Sequence, residues 1–281
     1  MTVKQKNAAG FSSDESLLYV RAETVELWNA LNYGHDNGVN VHVDGPPGTG
    51  KSTEAWAWIL WKAKQDKITV TWIHTSNCKR VKVVINGAKG LISTGYDASE
   101  VDSIKHSEGS LLVVDGVVAA QQMTISCFCC SWAEMETGRR FVLVSSSSVV
   151  TAVQEDWEAN IVRFTVASWI LDQYREACAN DDFFEIVKAK LKCPDSGESK
   201  EELLLSKYYF AGGCARWMFE FDYSTWKDDF ERHFEKVPNY EQLYSSASTL
   251  VAVNHLRGVT LVAIKGHKKK AFFFISQYTA V

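Results

Sequence analysis

Eight consecutive residues limit what this chain can fold into more than any other feature: Gly45-Pro46-Pro47-Gly48-Thr49-Gly50-Lys51-Ser52. They fit the pattern G-x-x-x-x-G-K-[ST], and they stand between a short apolar run, Val39 to Val43, and a helix expected from Lys51 to about Lys64. A strand, a glycine-bearing turn and a helix in that order let consecutive backbone N–H groups converge on one point in front of a helix N-terminus, where the partial positive charge of the helix adds to them. Gly48 and Gly50 permit the backbone angles and close approach that a side chain would block, and Pro46 and Pro47 stiffen the turn. The ligand such a turn suits is a phosphate. Lys51 is then expected at the β- and γ-phosphates, and the Ser52 hydroxyl is expected as a ligand of Mg²⁺. The nucleotide-binding set is Gly45, Pro46, Pro47, Gly48, Thr49, Gly50, Lys51, Ser52 and Thr53, and the nucleotide is ATP or GTP.

The second half of such a site is an acid at the C-terminal tip of a buried strand. Leu111-Leu112-Val113-Val114-Asp115 is a continuous apolar run ending in an acid, which implies burial on both faces and makes Asp115 the second metal-binding residue. Gly116 follows where many hydrolysing ATPases place a Glu to orient water, so turnover is expected to be slow. Arg140 to Ser148 has the form of a further core strand, and Ser145 is assigned as a sensor of the γ-phosphate. Arg139 and Arg140 are either structural or arginine fingers for a neighbouring subunit. Gly212-Gly213-Cys214-Ala215-Arg216 opens a helix, and Arg216 is assigned as a second sensor. The catalytic set is Lys51, Asp115, Ser145 and Arg216.

Strands at Ile68 to His74, Arg80 to Ile85, Leu111 to Val114, Arg140 to Val144 and Ile161 to Val166 alternate with helices, which predicts a parallel sheet with helices on both sides. An amphipathic helix is expected from Asp14 to Asn32, ending at Asn32-Tyr33-Gly34. After about Ser168 the pattern is helical, and Thr260 to Ile264 with Ala271 to Tyr278 reads as a β-hairpin whose tip, Lys265 to Lys270, is basic. The fold class is therefore α/β: a three-layer P-loop core with a parallel sheet, then a mainly helical lid-like region ending in the hairpin. The expected divisions are a helical arm at 1–36, the core at 37–168 and the lid region at 169–281.

With 281 residues, 46% of them hydrophobic, and a net charge of −4, the chain has material for a core and no overall basic footprint for nucleic acid. No uncharged apolar run approaches ~20 residues, so no membrane partner is expected. The polar start, Met1 to Gly10, has no secretory signal, which points to a cytoplasmic or nuclear location. Seven cysteines are an odd number without a disulfide framework. Cys127, Cys129 and Cys130 crowd together, but no second Cys or His pair stands at zinc spacing beside them, so they are expected as buried, inert thiols. Trp56, Trp58 and Trp61 recur at helical spacing and are expected in the core.

The chain resembles the P-loop NTPase domain of Crinkler and retrotransposon-hot-spot type proteins. The likeness rests on Val41 to Ser52, Trp56-Ala57-Trp58, Leu112 to Val117 with its Asp115-Gly116 pair, Val142 to Ser147, and above all on Tyr208-Tyr209-Phe210-Ala211-Gly212-Gly213-Cys214-Ala215-Arg216-Trp217-Met218-Phe219. What the resemblance implies is an ATPase domain allied to the AAA+ and STAND classes. It also implies secretion and delivery to a host cell and its nucleus, with a host nuclear protein or DNA as partner. Assembly as a homo-oligomer is a separate expectation.

Overall fold

A computed structural model describes residues 2–3, 16–75, 80–95, 100–117, 121–146, 161–237, 255–264, 267–276 and 278. The chain forms two compact units. One comprises Met1–Asp44 with Lys51–Thr165, the other Gly45–Gly50 with Val166–Val281.

In the first unit, β1 (Thr2–Val3) and β2 (Ser16–Leu17) pair as a short ribbon ahead of α1 (Ala22–Asn37). Seven further strands form one sheet: β3 (Asn40–Asp44), β4 (Thr69–Thr75), β5 (Arg80–Asn86), β6 (Leu91–Gly95), β7 (Leu111–Val117), β8 (Arg140–Ser145) and β9 (Ile161–Thr165). Their order is β6-β5-β4-β7-β8-β3-β9. From β4 to β9 every neighbouring pair is parallel, whereas β5 and β6 add on antiparallel at one edge. The parallel sheet expected from the sequence is thus present, with an antiparallel pair of strands added at one edge. A parallel return needs a crossover of a dozen or more residues, and only positions 76–79 separate β4 from β5. Strand β6, short and half polar, was not expected at all.

Adjacent residues of a strand point to opposite faces of the sheet, and β4 shows both faces covered. Trp72 meets Trp56 of α2 (Lys51–Asp66) edge to face at 5.3 Å. Ile73, the next residue, joins a buried cluster with Ile104 of α3 (Glu100–Lys105), Ile125, Cys129 and Trp132 of α4 (Gln122–Glu134), and Leu112, Val114, Phe141 and Leu143 of the sheet. Helix, sheet and helix make three layers, and the fold is the α/β class. Beneath α1, the buried Arg21 guanidinium lies 3.2 Å from the buried Glu54 carboxylate of α2.

Several local expectations change. The first helix begins at Ala22 instead of Asp14, with the Thr24 hydroxyl accepting the Arg21 N–H, and part of the expected stretch lies outside the described residues. It runs through Gly34, because Val41 packs where a side chain would sit, and stops at Gly38, whose φ of 73° makes the left-handed cap. Trp61 is 40% exposed and stacks on Trp28 at 5.8 Å, so it faces outward while Trp56 and Trp58 are buried.

The second unit carries α5 (Leu171–Cys178), α6 (Asp181–Leu191), α7 (Lys200–Ala211), α8 (Ala215–Phe219), α9 (Tyr223–Phe234) and an antiparallel hairpin of β10 (Arg257–Ile264) and β11 (His267–Phe274). Helices α6, α7 and α9 start where polar caps stand: Asn180, Ser199 and Asp222 each accept a backbone N–H of the first turn. Aromatic side chains fill the interior, with Trp226 against Phe210, Phe230 and Tyr278. Of the basic hairpin tip, Lys265 and the side chains of His267, Lys268 and Lys269 fall outside the described residues, and Lys270 is exposed.

Lys207 is fully buried on α7, its ammonium donating to the Phe221 carbonyl at 2.8 Å. Burial pulls it down from 10.5 to about 8. Between these values the unfolded chain keeps a proton that the folded chain has released, so stability rises with pH across that window. The cost is fully present below the folded value. Lys207→Met is therefore expected to be more stable than the parent at pH 7, and to lose the part of the pH 8 to 10.5 rise that Lys207 causes. Urea denaturation of both proteins at several pH values checks this, and parallel pH profiles would refute it.

Candidate functional site

In the first unit, the ends of three elements meet at one carboxylate. Asp115 is buried at the C-terminal end of β7, and its register partner on β4 is His74. The Ser52 hydroxyl, in the first turn of α2, donates to Asp115 Oδ1 at 2.7 Å. His74 Nδ1 lies 2.6 Å from Oδ2, and the Thr75 hydroxyl donates to the Asp115 carbonyl at 3.0 Å. With the carboxylate ionised, the shared proton sits on Nδ1 of His74. Both carboxylate oxygens are thereby oriented, one by a serine and one by an imidazole. Sequence reading had named Ser52 and Asp115, and it missed His74. The available signal was a polar pair, His74-Thr75, closing an otherwise apolar strand.

Lys51, the first residue of α2, is buried at 7% exposure, and Thr53 beside Ser52 is half-buried. Ser145 ends β8 one step beyond Val144, the register partner of Asp115, so it stands at the same end of the sheet. Its hydroxyl lies 2.8 Å from Nε2 of the buried His42 on β3. Gly116 has φ 82°, and a Cβ placed there would lie 2.1 Å from the Thr75 carbonyl oxygen. No side chain fits that position while β4 and β7 keep their register.

In the second unit, the loop Gly45–Gly50 is held by its carbonyls. The Pro47 carbonyl faces the Cys214 thiol at 3.7 Å, the Gly48 carbonyl accepts the Arg216 N–H at 3.2 Å, and the Thr49 carbonyl accepts the Trp169 indole N–H at 3.0 Å. In a planar trans peptide the N–H points opposite to the C=O. With these three carbonyls turned toward Cys214, Arg216 and Trp169, the N–H groups of Gly48, Thr49 and Gly50 are turned to the other side. The Thr49 hydroxyl closes the turn on the Pro46 carbonyl at 3.0 Å. Gly48, at φ 74°, could not carry a side chain, because its Cβ would lie 2.4 Å from Cys214 Sγ. Burial pushes the Cys214 thiol up to about 11, so it stays a neutral S–H. Trp169 is itself fixed, stacked on Tyr174 at 5.0 Å with Phe219 against its edge.

Arg216 thus reaches the loop through its backbone N–H. Its half-exposed guanidinium lies 3.7 Å from Glu220. Arg139 pairs with Glu136 at 2.9 Å and lies over Trp132, and Arg140 borders Gly38. Both stand at the N-terminal end of β8, a strand's length of about 16 Å from the end that carries Ser145. The cysteine expectation is corrected in part: Cys129 is buried, Cys130 half-buried and Cys127 exposed, since one face of α4 is turned to solvent.

The donor set fits a hard divalent cation. Ser52 Oγ and Asp115 Oδ1 are hard oxygens 2.7 Å apart, close to the ~2.9 Å edge between neighbouring ligands of an octahedral Mg²⁺ ion. Ser52 and Asp115 would hold it.

No protein-family model matches this sequence, and no curated protein matches it. Among solved structures, the chain is similar to AMPPCP-bound DnaA from Aquifex aeolicus, at 14% identity and a TM-score of 0.43 over 81% of this chain and 75% of that one. It is also similar to Cdc6p from Pyrobaculum aerophilum, at 12% identity and a TM-score of 0.37 over 94% of each chain. A third similar structure is a putative ATPase from Cytophaga hutchinsonii, at 13% identity and a TM-score of 0.35 over 69% of this chain and 60% of that one.

Proposed function

We propose that this chain binds a nucleoside triphosphate with Mg²⁺, ATP in the first place and GTP as the alternative, and hydrolyses it slowly. The observation that carries the reading is the 2.7 Å hydrogen bond from Ser52 to Asp115. A serine following the loop lysine and an acid 63 positions later, both named from the sequence alone, are in contact at a partly buried position.

In this reading the parts take the following roles. The N–H groups of Gly48, Thr49 and Gly50 receive phosphate oxygens, and Lys51, at the start of the helix that continues the loop, neutralises their charge. A bound Mg²⁺ would supply positive charge against that of the phosphates. Asp115 and Ser52 supply its protein oxygens, and His74 keeps Asp115 turned toward Ser52. Ser145, positioned by His42, and Arg216 act as sensors of the terminal phosphate.

Gly116 favours a second reading, in which bound nucleotide serves as a conformational switch. A Glu that orients water cannot occupy a position whose Cβ would strike the Thr75 carbonyl. The strings shared with the Crinkler and retrotransposon-hot-spot domains support an effector role for such a switch. Its nucleotide state would then set the engagement of a host nuclear protein or DNA, as a homo-oligomer delivered to the host nucleus.

Lys51→Ala is expected to weaken ATP binding about 100-fold, roughly 3 kcal/mol for the lost charge-assisted contacts, measured with a fluorescent ATP analogue in the presence of Mg²⁺. An unchanged Kd would sink the nucleotide reading. Steady phosphate release by the parent, absent from Lys51→Ala, distinguishes the slow enzyme from the switch. Gly116→Glu is expected to lower stability by about 3 kcal/mol or more without raising turnover, because backbone strain and a backbone clash combine there. A variant that melts with the parent and hydrolyses faster would show that the strand register does yield.

A further inference from the structure

Among the described residues, two groups of side chains have the composition and closeness to hold a metal ion: His35 with Asp36 and Asp66, and Asp229 with His233 and His255. The first already holds a cation, since the Lys62 ammonium lies 2.9 Å from both Asp36 and Asp66. The second lies within the helical unit, and the nucleotide reading makes no use of it.

Asp229 and His233 are four residues apart on α9, so they share one face of the helix. His255 stands two residues ahead of β10, and its ring stacks on that of His233 with centroids 3.8 Å apart and planes 14° from parallel. The potential ligand atoms of the three residues all lie within 4.8 Å of one another. Two further contacts have the form of outer-sphere support. The Trp217 indole N–H donates to Asp229 Oδ2 at 2.9 Å from a buried ring, which fixes the carboxylate. His233 Nδ1 lies 2.7 Å from the Asp229 main-chain carbonyl, so Nδ1 carries the proton and the lone pair of the ring is on Nε2. Metal-bound histidines characteristically donate their other N–H in this way. Arg232 contacts Asp229 Oδ1, and its side chain is 61% exposed and can move into solvent.

We propose that Asp229, His233 and His255 form a binding site for a divalent transition metal, Zn²⁺ in the first place, which ties helix α9 to the start of the hairpin. Two imidazoles and one carboxylate are the ligands of a borderline ion, whereas Mg²⁺ and Ca²⁺ take oxygen almost exclusively. Tetrahedral zinc needs ligand atoms about 3.3 Å apart, so binding requires side-chain rotation that closes the observed spacing and unstacks the two imidazole rings. The short spacing rules for zinc overlooked this group because its third member comes from a distant stretch of chain.

The test is titration of the chelator-treated full chain with Zn²⁺ alone, without nucleotide, followed by the histidine ring NMR signals and by calorimetry. One equivalent is expected to bind, to shift the ring signals of His233 and His255, and to raise the melting temperature. His255→Gln is expected to lose affinity by about 100-fold or more. Because His255 is only half-buried, that variant is expected to fold, and its melting curve without metal verifies this. Absence of Zn²⁺ binding by the parent would overturn the proposal. So would undiminished binding in His255→Gln, which would assign the ion to thiols such as the exposed Cys127.

Discussion

The contact on which the candidate site depends is a hydrogen bond from a helix N-terminus to the tip of a neighbouring strand. Ser52 and Asp115 meet because α2 leaves the loop after β3, while the chain places β7 two strands away across β8. Both strands run parallel to β8, so their C-terminal ends lie on one edge of the sheet. That is the edge where ligands bind in open α/β sheets, outside the carboxyl ends of the strands. Layering, strand direction and burial therefore act on the chemistry through one placement: a carboxylate kept out of water by its strand and kept oriented by its neighbours.

Around Asp115, orientation is shared among β4, β7 and α2. His74 takes one oxygen and Ser52 the other, and Thr75 holds the main chain of the same residue. A buried carboxylate needs hydrogen-bond donors, and Ser52 and His74 supply one to each of its oxygens. The next residue, Gly116, shows the cost of the arrangement. The close approach of β4 that delivers His74 and Thr75 to Asp115 is the same approach that leaves no room for a side chain after it.

The sequence made the strand, loop and helix around Gly45 to Ser52 legible because glycine, lysine and serine at that spacing answer to one local requirement. The acid at the end of Leu111 to Val114 was legible for the same reason: a strand buried on both faces must be continuously apolar until its tip. What depends on pairing between distant segments was not legible. His74 is an ordinary strand residue until β4 is known to lie beside β7. The antiparallel edge was implied by a connection of four residues, a length argument that composition hides. Gly34 looked like a helix stop, and only the position of Val41 shows that it serves close packing instead. Asp229, His233 and His255 are brought together by tertiary structure, beyond the reach of any short spacing rule.

Three carbonyls of the loop are satisfied by Cys214, Arg216 and Trp169, residues encoded more than a hundred positions downstream. The loop and the Gly212 to Trp217 stretch are consequently one piece of geometry. Shrinking Cys214 would clear the clash at position 48 but not the left-handed backbone that favours glycine there, and loss of the indole at 169 leaves a buried carbonyl without its donor. A substitution in either segment therefore acts on the shape of the other, although a linear motif treats the two as unrelated.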